Sequence, residues 1–213
     1  MGFFELLATT PQSDLFGDDV DPDTRYVMFR TGNLADGEAI HQLREVDLEP
    51  VVGAVPRRRQ LYGAVTEAMT NVVQHAYTGT VRQPNWWLSA SYNAAAKRVT
   101  IMIYDQGQGI PKTLPARLDE RLLATFGRDH ARMIQAAHEL SRSASAKPYR
   151  GQGLRRDVRG YLNGIRGGAR YRVISLKGEY IYEVGPDGKT TQRLTTHQKS
   201  LYGTLIVWDV STQ

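Results

Sequence analysis

Apolar residues recur at helical spacing from Arg58 to Tyr77, where Leu61, Val65, Met69, Val72, Val73 and Ala76 fall three and four positions apart. The pattern predicts the best-defined helix of the chain. Ala35–Val46 carries the same spacing over a shorter stretch and reads as a short helix, and Pro50, Gly53 and Pro56 interrupt the residues between the two. Arg25–Arg30 alternates with period two, as an edge strand does. Trp86–Tyr92 and Val99–Tyr104 look like neighbouring strands joined by Asn93–Lys97, and Tyr171–Leu176, Tyr180–Val184 and Thr204–Val210 suggest three more, with Gly185–Gly188 as a turn. Pro111–Pro148 is rich in Arg and Ala, with some helical patterning and no strand, and Leu154–Ile165 suggests a further helix. The polar, acidic Ser13–Arg25 lacks periodicity and reads as loop. Hairpins interleaved with a few helices imply an α+β two-layer sandwich, with helices on one face of a mostly antiparallel mixed sheet.

With 213 residues, 41% of them hydrophobic and 23% charged, the chain falls in the ordinary globular range and can bury one core. Cysteine is absent, which excludes disulfides, thiolate nucleophiles and cysteine-zinc sites and suits a reducing cytoplasm. No apolar run approaches the roughly 18 residues of a membrane helix, and the N-terminus carries acids where a leader would carry bases. The expectation is therefore a cytoplasmic protein that does not span a membrane. The net charge of +5 is uneven: residues 1–60 hold 6 basic and 11 acidic side chains, whereas residues 111–171 hold 13 and 5. That basic stretch suits a nucleic acid, a phosphorylated ligand or an acidic partner, and equally a solvated helix face.

Three segments carry candidate chemistry. On the long helix, Glu67 and Asn71 stand four residues apart and share a face, with His75 a turn further along. A carboxylate and an amide so placed can serve a hard cation held mainly by phosphates and water. Second, the apolar strand Val99–Tyr104 ends in Asp105, followed by Gly107, Gly109 and Pro111. A buried strand-end carboxylate can accept from an exocyclic amino group such as adenine's, while the glycines let the chain turn or approach a ligand closely. Third, Gly151, Gly153 and Leu154 precede a predicted helix, where free backbone N–H groups and the helix dipole favour phosphate. The spacing does not match a P-loop. A terminal strand opening Tyr202-Gly203-Thr204 completes the order.

A helix with ExxxN, a strand with DxGxG, a variable region, GxGL before a helix and a late strand starting Gly-Thr resemble, in that order, the GHKL superfamily of ATPases, which includes gyrase, mismatch-repair proteins, histidine kinases and anti-sigma-factor kinases. The resemblance covers about residues 58–210. It implies the Bergerat-type ATP-binding fold over 58–213, with 1–57 as an extension packed on it. It also implies ATP or ADP with magnesium as the ligand. Position by position, Glu67 takes the place of the general base or water-orienting acid, Asn71 that of the magnesium-ligating amide and Asp105 that of the adenine-reading carboxylate. Gly107 and Gly109 would form the hinge of a nucleotide lid at about 111–150, Gly151, Gly153 and Leu154 would line the phosphates, and Thr204 would support Asp105.

Within the superfamily, His41 superficially resembles a phosphoacceptor, yet only 25 residues and two prolines separate it from Glu67, too few for the second helix of a kinase hairpin. The helix from Glu67 to Tyr77 looks most like the stand-alone anti-sigma-factor type of serine/threonine kinase. The expected function is an ATP-dependent protein kinase or slow ATPase in bacterial signalling, with a regulatory protein as partner or substrate and a homodimer left open. A non-catalytic, ATP-switched interaction module is the alternative, and a nucleic-acid binder the least favoured reading.

Overall fold

The structure is a computed structural model that describes residues 23–26, 30–53, 55, 57–77, 85–114, 129–140 and 158–213. Among the described residues six strands form a single sheet: β1 (Thr24–Tyr26), β2 (Arg30–Gly32), β3 (Trp86–Asn93), β4 (Arg98–Asp105), β5 (Ala169–Val184) and β6 (Thr190–Ser211). The order across the sheet is β1-β3-β4-β6-β5, with β2 also on β3, and every pairing among the described residues is antiparallel. Sequence alternation sets which side each residue faces. Trp86, Leu88, Val99, Ile101, Ile103, Ile206, Trp208 and Val210 point to the helix side and are buried. Trp87 points the other way and leans on Tyr104, with ring centroids 5.8 Å apart.

β6 runs well beyond the expected Thr204–Val210, and β5 departs from expectation in its continuity. The alternation of Tyr171–Leu176 and Tyr180–Val184 predicts two strands, and the structure joins them into one continuous element. Sixteen extended residues would span roughly 50 Å. Yet a Cβ on Gly168, just before β5, would sit 3.0 Å from the Val184 carbonyl oxygen at its far end, and Arg170 pairs with Glu183 at 2.9 Å. The strand therefore folds back on itself, at the irregularity around Leu176–Gly178 where Leu176 adopts a φ of 54°. The two expected arms are present, and a bulge replaces the expected loop.

The helices lie on one face of the sheet. α1 (Gly37–Gln42) starts where Asp36 accepts a capping hydrogen bond from the Glu38 N–H at 2.8 Å, and it continues through a π-helical turn, Leu43–Leu48, into α2 (Glu49–Val52). His41 pairs with Glu45 across one turn, at 3.2 Å. The long predicted helix is α3 (Arg58–Asn71), which ends in a π-helical turn, Val72–Ala76. Its Leu61, Ala64, Val65, Ala68, Met69, Val72 and Ala76 are buried in the same cluster as Ile40, Leu43 and Leu48 from the preceding helices. α4 (Ile110–Thr113) follows β4, α5 (His130–Leu140) packs chiefly on β5, and α6 (Arg159–Leu162) touches both α3 and β5. Of the stretch 111–150, residues 111–114 and 129–140 are described.

α5 is seated by a buried histidine. His138 lies between Tyr171 and Tyr180, with ring centroids 5.5 and 5.2 Å away, and its Nε2 is 3.0 Å from the Tyr171 hydroxyl. Its Nδ1 lies 2.8 Å from the Ile134 carbonyl, so the neutral ring donates there and accepts from Tyr171. Burial, with the Arg159 charge beyond it, lowers this imidazole to about 4, and it is uncharged at neutral pH.

Candidate functional site

Helical periodicity determines what α3 presents. Its apolar stripe faces the sheet, which leaves Glu67 and Asn71 half-buried along the border of that stripe and His75 exposed beyond them. The Asn71 side-chain nitrogen is buried and has no hydrogen-bond partner among the described residues. An amide kept half out of water with an unmet polar atom is the kind of group a ligand completes. Since amide oxygen and nitrogen exchange by a simple flip, either atom can face that ligand. No group of three or more His, Cys, Asp or Glu able to hold a metal occurs among the described residues. A cation here would thus rely on a single amide and carboxylate, which fits magnesium held largely by phosphates and water.

At the tip of β4, Asp105 is 4% exposed. Its Oδ1 accepts from the Gly107 N–H at 2.8 Å, and Thr204, its register partner on β6, stands beside it with a backbone N–H and a hydroxyl that favour the charge. Burial nevertheless dominates and holds the carboxyl up at about 6. At neutral pH it is ionised, with its donors supplied by this short loop and strand. Such a group can accept one more hydrogen bond from a neutral donor, which is what an exocyclic amine offers.

The loop after Asp105 bridges α3 and β5. Gly107 lies against Ala76 so closely that a Cβ would come within 2.6 Å of the Ala76 Cβ, and the Gln108 N–H donates to the Ala76 carbonyl at 2.8 Å. Tyr77 adds a second tie, its hydroxyl accepting from the Gln106 N–H and donating to the Asn85 carbonyl, both at 2.9 Å. On the other side, Gly109 has φ 86°, and a Cβ there would lie 2.8 Å from Ser175 Oγ. The Asp105 loop is therefore fastened to the end of the helix that carries Glu67 and Asn71. Asn71 is five residues before Ala76, about 7 Å of helix axis.

Of the residues singled out in the sequence, Glu67, Asn71, Asp105, Gly107, Gly109 and Thr204 fall on these connected elements. Gly151, Gly153 and Leu154 lie outside the described residues. Sequence reading gave no role at the site to three others. Gly203 adopts φ 88° and has no room for a side chain against the Asp105 backbone. Tyr77 staples the loop, and Ser175 sits fully buried beside Thr204. A polar residue in the inward row Tyr171, Val173, Ser175 was the available signal for the last.

The sheet with helices on one face is an α+β sandwich, and the buried acid at its strand tip stands beside a helix bearing an acid and an amide. The sequence model of the histidine kinase-like ATPase domain matches residues 37–154, more than half of the chain. The chain belongs to this family, and the GHKL resemblance seen in its motifs is thereby placed. No curated protein matches the chain. No helix among the described residues is long and apolar enough to cross a membrane.

Proposed function

We propose that the chain binds Mg-ATP with the purine on Asp105 and the phosphates toward Glu67 and Asn71, and that it transfers or hydrolyses the γ-phosphate as a regulatory protein kinase or slow ATPase. The observation that carries this reading is the Asp105 loop, fastened through Gly107, Gln108 and Tyr77 to the end of the Glu67–Asn71 helix. One ligand lying along that helix reaches both groups. Asp105 accepts a hydrogen bond from the adenine amino group, and guanine, which presents a carbonyl at that position, leaves the carboxylate facing an acceptor. Asn71 offers an amide oxygen toward the metal-bound phosphates, and magnesium, when bound, neutralises charge on them. Glu67 orients a serine or threonine hydroxyl of a partner protein for in-line attack on the γ-phosphorus and takes its proton as the bond to the β-phosphate oxygen breaks. With water in place of that hydroxyl, the same groups release inorganic phosphate. Gly151, Gly153 and Leu154 are assigned to the phosphates and residues 111–150 to a lid over them.

Phosphate release and binding calorimetry on the same preparations test this assignment. Glu67→Ala is expected to abolish turnover and keep ATP affinity within about threefold. Turnover unchanged in that variant would remove Glu67 from the mechanism. Should wild type bind ATP with magnesium and show no phosphate release or transfer to any protein, the chain works as an ATP-dependent switch instead.

A further inference from the structure

We propose that Ser175 is a positioning residue for Asp105, holding the glycine loop and the purine-reading carboxylate in register through one hydrogen-bond chain. This role rests on Asp105 being the group that receives the purine. Asp105, Thr204 and Ser175 form a single row across β4, β6 and β5. Ser175 is fully buried; its Oγ accepts from the Ile110 N–H at 2.9 Å and lies 3.0 Å from Thr204 Oγ1 and 3.1 Å from the Gly203 carbonyl oxygen.

One proton assignment sets the direction of the chain. The Thr204 hydroxyl has one proton, and we assign it to Asp105, its register partner on β4, whose charge it stabilises. Toward Ser175, Thr204 can then only accept. Ser175 donates to it, sharing its proton with the Gly203 carbonyl, and receives the Ile110 N–H in turn. The sequence of donors therefore runs from the backbone at the start of α4, through Ser175 and Thr204, to the carboxylate, and each donor polarises the next. Gly109 makes the first link possible, because a Cβ there would meet Ser175 Oγ at 2.8 Å and hold Ile110 away. A buried serine that merely satisfies its own strand would influence stability without touching the titration of Asp105. A serine in this chain must influence both.

Tyr77, from the end of α3, and Tyr104, on β4, feel the Asp105 charge; burial raises both phenols and keeps them neutral. Lys112 on α4 and Lys177 on β5 act on His130. Thr204 and Ser175 bring no charge.

The test is a carboxyl-carbon NMR titration of Asp105 in the nucleotide-free full chain, wild type against Ser175→Ala, with ATP calorimetry on both at neutral pH. The expected result is an upward move of the Asp105 midpoint by about half a pH unit or more and a loss of about tenfold in ATP affinity. Ser175→Cys, which keeps the size and donates only weakly, is the second variant should alanine not fold; its midpoint is expected to move the same way. An unmoved midpoint in the variant that folds overturns the proposal. Failure of the wild type to bind ATP would instead sink the purine reading, while the nucleotide-free titration still judges the hydrogen-bond chain.

Discussion

Asp105 is held ionised at a place where burial opposes ionisation. The difference between about 6 in the folded chain and 3.8 for an ordinary aspartate corresponds to roughly 3 kcal/mol against folding at neutral pH. The raised value means that the folded state takes up its proton first as pH falls, so this group adds stability between about pH 6 and about pH 4. Asp105→Asn should remove that gain, which chemical denaturation at pH 7 and at pH 5 would detect. The same variant should weaken ATP by tenfold or more, since a neutral amide accepts the adenine amine less well. On α3, Asn71→Ala should leave metal-free nucleotide binding near wild type and cancel the tightening that magnesium brings; calorimetry with and without magnesium measures the difference. The places of Asp105, Asn71 and Glu67, at a strand end and on a helix face, were legible in the sequence because each stands in a local pattern. Ser175 was not, because its meaning arises from register across three strands, and register is not written in any one of them.

At the level of elements, the sequence exposed what periodicity can expose. α3 together with its closing π-helical turn, and the β3–β4 hairpin, fall within a residue or two of their expected bounds, since strong amphipathic patterns survive tertiary context. The sequence showed a break between Leu176 and Tyr180, where Gly178 falls, but not the fold-back of β5, because the reversal depends on a bulge and the left-handed Leu176. The π-helical turn closing α3 was equally hidden, although it places Ala76 and Tyr77 against the glycine loop. Gly203 is where element geometry is least forgiving. Its φ of 88° and its contact with the Asp105 backbone leave no space for a methyl group, so Gly203→Ala should cost about 2 kcal/mol or more and degrade ATP binding with it. Thermal melts beside nucleotide titrations would show whether the two losses travel together.

Across the whole molecule, two buried groups oppose each other in the same pH range. His138, at about 4, is neutral in the fold, so the unfolded chain protonates first and this group removes stability as pH falls from 6.5 to about 4. Asp105 acts in the opposite sense over nearly the same window, and each contribution is roughly 3 kcal/mol. Their effects should largely offset in the wild type. His138→Phe should therefore make the chain gain stability on acidification relative to wild type, and Asp105→Asn should make it lose stability, with denaturant midpoints at pH 7 and pH 5 as the measure. The basic stretch at 111–171 is a further property of the whole chain, and part of it, on α5 and α6, packs beside the sheet and not in the Asp105 loop. Whether the chain is an adenine-nucleotide protein at all turns on which base the strand-tip acid accepts, and side-by-side calorimetric titration of wild type and Asp105→Asn with ATP and GTP in magnesium decides it. Tight ATP binding and little or no GTP binding are expected of the wild type, with the preference reduced in the variant; equal binding of the two nucleotides by wild type would contradict the role given to Asp105.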